Sequence, residues 1–154
     1  MSAASVLIAP SPVEHGRPTG PSYSLLLTSD PTLIRAAQEL RYQVFSTEPG
    51  FALHNDVGLD ADEFDEHCDH LLVRDDDSGE VIGCYRMLPP PGAIAAGGLY
   101  TATEFDIRAL DPLRPSMVEM GRAVVRSDHR NGAVILMMWT GILAYLDRCG
   151  YDYV

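Results

Sequence analysis

Glu119-Met120-Gly121-Arg122-Ala123-Val124-Val125-Arg126, then Ser127-Asp128-His129-Arg130-Asn131-Gly132, then an apolar run over residues 133–146, decides how this 154-residue chain is read. The pattern is a strand, a short polar turn and a long helix. A helix that opens out of such a turn presents unsatisfied N–H groups and the positive end of its dipole to one spot, which favours an anion. Acidic and basic side chains beside that spot point to chemistry on a phosphate-bearing cofactor. In a regular strand Glu119 and Arg122 would face opposite sides, because the side-chain period is two. A β-bulge near Gly121 would bring both to one side, and we expect that bulge.

Working outward, residues 132–148 read as a helix closed by Cys149-Gly150, with residues 151–154 starting a further strand. Ile135, Met138, Trp139, Ile142, Leu143 and Leu146 form one helical stripe, expected to be core. Upstream, residues 23–28 form a first strand. Ser29 or Asp30 then caps a helix that starts at Pro31 and runs to Phe45 on the spacing of Leu33, Ala37, Leu40 and Val44. Residues 51–66 are an acidic loop over a site. Residues 70–74 and 81–88 are the arms of a hairpin around Asp75-Asp76-Asp77-Ser78-Gly79, stopped by Pro89-Pro90-Pro91-Gly92. Residues 93–113 are ambiguous, with 103–106 opening a short helix. Residues 117–125 are the strand quoted first.

Size allows one domain, and 46% hydrophobic residues allow an ordinary core. A net charge of −11 argues against nucleic acid and against an anionic membrane as partners of the whole surface. Arg122, Arg126, His129 and Arg130 nevertheless fall close together, as a local grip on phosphate requires. Cys68, Cys84 and Cys149 lack metal or redox spacing and give no disulfide framework, so a reducing cytoplasm and buried thiols are expected. Residues 1–21 lack a signal-peptide pattern and read as a disordered tail, with one domain over 22–154. The apolar run is short of the ~20 residues needed to span a bilayer, which leaves only peripheral membrane association open.

Leu40-Arg41-Tyr42-Gln43-Val44-Phe45, Phe64-Asp65-Glu66-His67-Cys68-Asp69-His70-Leu71-Leu72-Val73, Gly83-Cys84-Tyr85-Arg86-Met87-Leu88 and Glu119-Met120-Gly121-Arg122 occur in the order of the GNAT acyltransferase fold. Together they resemble the ornithine-lipid N-acyltransferases, often labelled hemolysin-like, which move a hydroxyacyl chain from acyl carrier protein to the α-amine of ornithine. They are more distantly similar to acyl-homoserine-lactone synthases, where Arg41, Phe45, Asp65, Arg86, Glu119 and Arg122 match. The resemblance covers residues 23–154. It implies an α/β (α+β) domain with the GNAT acyl-CoA N-acyltransferase fold, a mixed twisted sheet flanked by helices. Because the chain stops inside a strand, that fold is expected to lack its C-terminal strands, which in the family complete the sheet and the acceptor pocket.

The resemblance implies a cytoplasmic enzyme that transfers an acyl group from an acyl-carrier-protein or CoA thioester to the amine of an amino acid such as ornithine. No cofactor is permanently bound; the donor's acyl-phosphopantetheine is the only group of that kind. An amine attacking a thioester must be neutral, held near the carbonyl and helped by oxyanion stabilisation. Glu119 is the candidate to take the amine proton or hold the ammonium, paired with Arg122 as the second catalytic residue; its plain alternative is an ion pair with Arg86 or Arg122. Arg41, Phe45, Asp65 and Arg86 are the substrate-binding candidates. Arg86 lies on an apolar strand face and must be paired if buried, with Glu119 or Asp65, or else anchors a substrate carboxylate. Val124, Arg126, His129, Arg130, Asn131 and Gly132 are assigned to the donor arm.

The acetyl-CoA pattern Arg/Gln-x-x-Gly-x-Gly/Ala, started at Arg130, meets Ala133 and Ile135 instead, which favours a carrier-protein donor over CoA. Asp60, Asp62, Asp65, His67, Asp69 and His70 lack the spacing of a calcium or zinc site, and no metal is expected. The alternatives are an acyl-homoserine-lactone synthase, although Trp139 is the only tryptophan and the N-terminal Trp pattern of those enzymes is absent, or a non-catalytic fragment that binds acyl carrier protein or lipid.

Overall fold

The computed structural model describes residues 4–9, 22–50 and 55–154. Its centre is a five-stranded antiparallel sheet in the order β1-β2-β3-β4-β5, formed by Ser5–Ile8, Tyr23–Thr28, Asp69–Asp75, Val81–Leu88 and Glu119–Val125. Helix α1 (Pro31–Phe45) covers one face and α3 (Gly132–Cys149) the other; a short α2 (Pro90–Ala95) follows β4. Among the described residues the parallel component of the sheet is a single bridge between Met117 and Tyr153, so residues 151–154 contribute one bridged residue where a strand start was expected.

Strand β1 lies inside the stretch expected to be a disordered tail. Its alternation was too short to stand out from the Ser, Ala and Pro around it, yet Ser5, Val6 and Ile8 pair with Leu27, Leu26 and Leu25. The remainder of that stretch from residue 10 to 21, and residues 51–54 of the acidic loop, lie outside the described residues.

Local chemistry sets α1. The Asp30 carboxylate accepts from the Thr32 and Leu33 N–H groups at 2.9 and 3.3 Å, and Pro31 occupies the first turn. Ala37 and Leu40 then pack on Leu26, Leu72, Cys84 and Val124 of the sheet. On the opposite face Val134, Met138, Ile142 and Tyr145 of α3 pack on Leu25, Leu71 and Val73. Gly141 permits the close approach: a Cβ there would stand 2.2 Å from a methyl of Leu25. Helix α3 ends at Gly150 in the left-handed region, as the sequence indicates.

Four expectations change. Pro90 and Pro91 begin α2 rather than merely ending β4, since proline fits a helix's first turn. Residues 103–106 do not open a helix; Thr103 closes a 3₁₀ turn (Tyr100–Thr103), and a second one spans Arg108–Ser116. Half of the α3 stripe is not core: Ile135, Trp139 and Leu143, with Leu136 beside them, are exposed while Met138, Ile142 and Leu146 are buried. By length and composition α3 is the one helix among the described residues apolar enough to cross a membrane, and it packs on the sheet by its other side. Cys68 and Cys84 are buried, but Cys149 is exposed.

Candidate active site

The expected bulge is present. Along β4, Cys84 and Arg86 are two residues apart; their partners in β5, Val124 and Gly121, are three apart. The extra residue falls at Arg122–Ala123, where Arg122 has φ 53, the one positive φ outside glycine among the described residues. A left-handed arginine costs on the order of 1–2 kcal/mol, so surrounding contacts must hold it there. They are ionic. Arg122 Nε lies 3.2 Å from Asp60 and its Nη2 3.3 Å from Asp62. As a result Glu119 and Arg122 line one cavity of about 250 Å³, together with Phe64, Arg86, Tyr100 and Thr101.

Arg122 belongs to a network of guanidinium and carboxylate groups. Arg41 reaches out of α1 to both oxygens of Asp65 at 3.0 and 2.7 Å, and to the side chain and carbonyl of Asp60. Arg86 bonds Asp62 through a short contact and Asp65 at 3.3 Å. Burial drives the Asp65 carboxyl up, but the hydrogen bonds and charge of Arg41, with Gln38 and Arg86, outweigh it and leave it at about 2. Burial likewise opposes the charge on Arg86, and Asp62 and Asp65 more than restore it. His70 donates from Nε2 to the Asp65 carbonyl at 2.9 Å, and its burial lowers the imidazole pKa, so the ring is a neutral structural prop. The sequence points to Asp65 as a partner of Arg86; it serves Arg41 as well.

Arg41 and Asp65 are therefore not on the cavity wall. With side chains 1% and 6% exposed they sit beneath it and position Arg86 and Arg122. Glu119 pairs with neither arginine. Its carboxylate accepts from the Tyr100 N–H at 2.7 Å, the Thr101 N–H at 2.8 Å and the Thr101 hydroxyl, and so holds the start of the Tyr100–Thr103 turn on β5. Arg86 and Arg122 both lie over the Tyr100 ring, at 6.0 and 5.1 Å. Sequence reading missed Tyr100, Thr101, Phe64 and the pairing roles of Asp60 and Asp62. Only the acidic run gave a signal, and it did not say which of its carboxylates would pair with which guanidinium.

On the other side of the β5 edge, Phe45, Val44, Val124, Arg130, Ile135 and Trp139 line an apolar cleft of about 490 Å³. Phe45 thus stands with Val124 and Arg130, away from the cavity of Arg86 and Glu119. The basic turn is less free than its composition implies. Arg126 bonds Glu80 and Asp128 at 2.7 and 2.8 Å. It also donates to His129 Nε2 at 2.9 Å, which leaves Nδ1 to donate to the Tyr23 hydroxyl at 2.9 Å. Arg130 bonds Glu48 and the Val125 carbonyl. Asn131 caps α3 by accepting from Val134 N–H at 3.1 Å, and Gly132 begins the helix in open space.

The bulged strand thus has an apolar cleft beside a helix N-terminus on one side and a charged cavity on the other. The chain belongs to the acetyltransferase (GNAT) domain family, whose model matches residues 40–140. It is 40% identical over 136 residues to the L-ornithine N(alpha)-acyltransferase of Rhodobacter capsulatus, covering 81% of this chain and 51% of that protein. To the protein of the same name in Brucella abortus it is 35% identical over 141 residues, covering 85% and 50%. The chain thus spans about half the length of the curated relatives it matches. The crystal structure of the acyl-homoserine-lactone synthase LasI shares the fold with a TM-score of 0.63 at 19% identity, over 86% of this chain and 70% of that one.

Proposed function

We propose that this domain transfers an acyl group from an acyl-phosphopantetheine thioester to the α-amine of an amino acid, with ornithine as the acceptor. The observation that carries the reading is the bulge at Arg122, with an apolar cleft on one side of the strand and a charged cavity on the other, which we read as the donor and acceptor sites. The two ornithine acyltransferase relatives support the choice of acceptor.

The donor arm lies in the cleft along Val124, between Phe45 and Trp139, with its phosphate at Arg130 and the start of α3. Its thioester carbonyl meets the bulge, where Ala123 stands outside the β4 register and its main-chain N–H stabilises the oxyanion. Glu119 has three donors on its carboxylate, one of them on Oε2, so that oxygen retains a lone pair for the acceptor's ammonium group. The amine loses a proton to Glu119, directly or through one water, and attacks the thioester carbon. A C–N bond forms, the C–S bond breaks, and the departing thiolate takes up a proton. Burial pushes the Cys68 and Cys84 thiols up to about 12 and Cys149 lines neither cavity, which supports direct transfer without an acyl-enzyme. A carrier-protein donor is preferred to CoA because Ala133 stands where glycine, and Ile135 where glycine or alanine, would admit a pyrophosphate. The free thiols agree with a cytoplasmic location.

Thiol release from long-chain acyl carrier protein and from acyl-CoA, with and without ornithine, tests the reading. Release that depends on ornithine, gives the mass of N-acylornithine and falls with Glu119→Gln is the expected result. A folded chain that releases no thiol with any amine overturns it, and a homoserine-lactone mass replaces it.

A further inference from the structure

Arg86 and Arg122 are the two guanidinium groups that line the acceptor cavity, and each is only partly engaged. Arg86 uses Nη1 for Asp62 and Asp65; Arg122 uses Nε and Nη2 for Asp60 and Asp62. Among the described residues Arg86 Nε and Nη2 and Arg122 Nη1 have no hydrogen-bond partner, yet none of them is among the sealed, unsatisfied polar atoms. They therefore face space that a ligand or water can reach. The Tyr100 ring lies under both groups, and the Phe64 ring lies 5.7 Å from Arg86. Stacking against a ring fixes the plane of a guanidinium and directs its N–H edge sideways. Asp60, Asp62 and Asp65 hold the two arginines from behind, with Asp60 and Asp65 buried below the cavity.

We propose that these two arginines form a carboxylate subsite on the Tyr100 platform, which restricts the acceptor to amines that carry a free α-carboxylate. The inference rests on the proposed acyl transfer and names what that site selects. An α-amino acid has its carboxylate next to the reacting amine, so one end of the zwitterion meets Arg86 and Arg122 while the other meets Glu119 across the same cavity. Amines without the carboxylate leave both guanidinium edges facing a cavity with nothing to bond. Tyr100 has a double attachment: its ring orients the arginines, and its N–H fixes Glu119.

The test compares ornithine with ornithinamide, norvaline and putrescine on the full chain, reading acyl transfer by product mass and binding by calorimetry. Norvaline keeps both α groups, ornithinamide loses the carboxylate charge and putrescine loses the carboxylate. The expected result is that ornithine and norvaline outperform ornithinamide and putrescine by at least about tenfold in kcat/KM and in affinity, since a charge-assisted bond to a carboxylate is lost. In Arg122→Gln that preference collapses because the carboxylate acceptors weaken, and Arg122→Lys restores part of it; Tyr100→Leu reduces it with the fold intact by circular dichroism. Equal use of ornithine and ornithinamide by the unaltered chain overturns the inference while leaving acyl transfer standing. So does an Arg122→Gln protein that weakens both equally. Carboxylate-dependent binding with no thiol release from any donor keeps the subsite and removes the acyl-transfer reading. A chain that binds none of the four overturns the subsite.

Discussion

The bulge network and the turn before α3 are built from the same parts, arginines, acids and a histidine, but at different depths. Beneath the bulge, Arg41 and Arg86 have side chains 1% and 5% exposed, Arg41 pairing with Asp60 and Asp65 and Arg86 with Asp62 and Asp65, whereas Arg122 on the cavity wall is 26% exposed. At the turn, Arg126 and Arg130 are 28% and 47% exposed and pair with Glu80, Asp128 and Glu48 on the surface. A buried charge whose partner is removed has no water to replace it, whereas a surface charge does. The first set fixes geometry; the second can exchange its partners for a ligand phosphate. Depth therefore separates the part of the site that must not move from the part that must let go.

The largest effect that would break this contrast is in stability. Arg41→Ala strands the Asp60 and Asp65 carboxylates, and a loss of about 3–5 kcal/mol is expected from the denaturant midpoint. Arg126→Ala, at the surface, is expected to cost at most about 1 kcal/mol. Equal losses would dissolve the distinction. Acid supplies the next effect. Asp65 has a folded-state pKa of about 2 against an ordinary value of 3.8, so its stabilisation, roughly 2 kcal/mol, is present above pH 4 and is lost as pH falls through about 2. His70 acts in the same direction at higher pH. Its folded-state pKa is lowered, so the unfolded chain takes up the proton first and stability starts to fall below about pH 6.5. Urea melts from pH 7 to 2 are expected to fall in two stages, and Asp65→Asn is expected to remove the lower one.

Smaller effects sharpen the contrast. Donor KM is expected to rise with salt, because exposed Arg130 meets the donor phosphate through screened charge, while the preference for acceptors with a carboxylate is expected to hold. Iodoacetamide on the folded chain should label Cys149, slowly, because partial burial raises its pKa. Cys68 and Cys84 should stay protected until unfolding. Mass spectrometry counts the labels, and early labelling of Cys84 would show that the packing beside the bulge opens.

Much of the fold was legible because it is locally encoded. Asp30-Pro31 starts α1, Asp75 to Gly79 turns the hairpin, and Gly150 stops α3. The bulge was legible from the demand that Glu119 and Arg122 share a side. The pairing was not. Arg122 meets Asp62 across 60 positions and Glu119 meets Thr101 across 18, and no periodicity records which carboxylate a guanidinium will find. The Tyr100 platform was hidden for the same reason, inside a stretch whose 3₁₀ turns have no repeat long enough to show. The exposed half of the α3 stripe was misread because hydrophobicity gives a residue's preference for burial, and only the neighbouring elements decide whether anything covers it.

The left-handed arginine has one more consequence, for which residues the position accepts. At φ 53 the backbone favours glycine, and a side chain with a Cβ is strained there. The ties to Asp60 and Asp62 favour arginine instead. Main chain and side chain therefore pull the position in opposite directions, and the substitution that suits the backbone best is the one that strips the charge from the cavity wall.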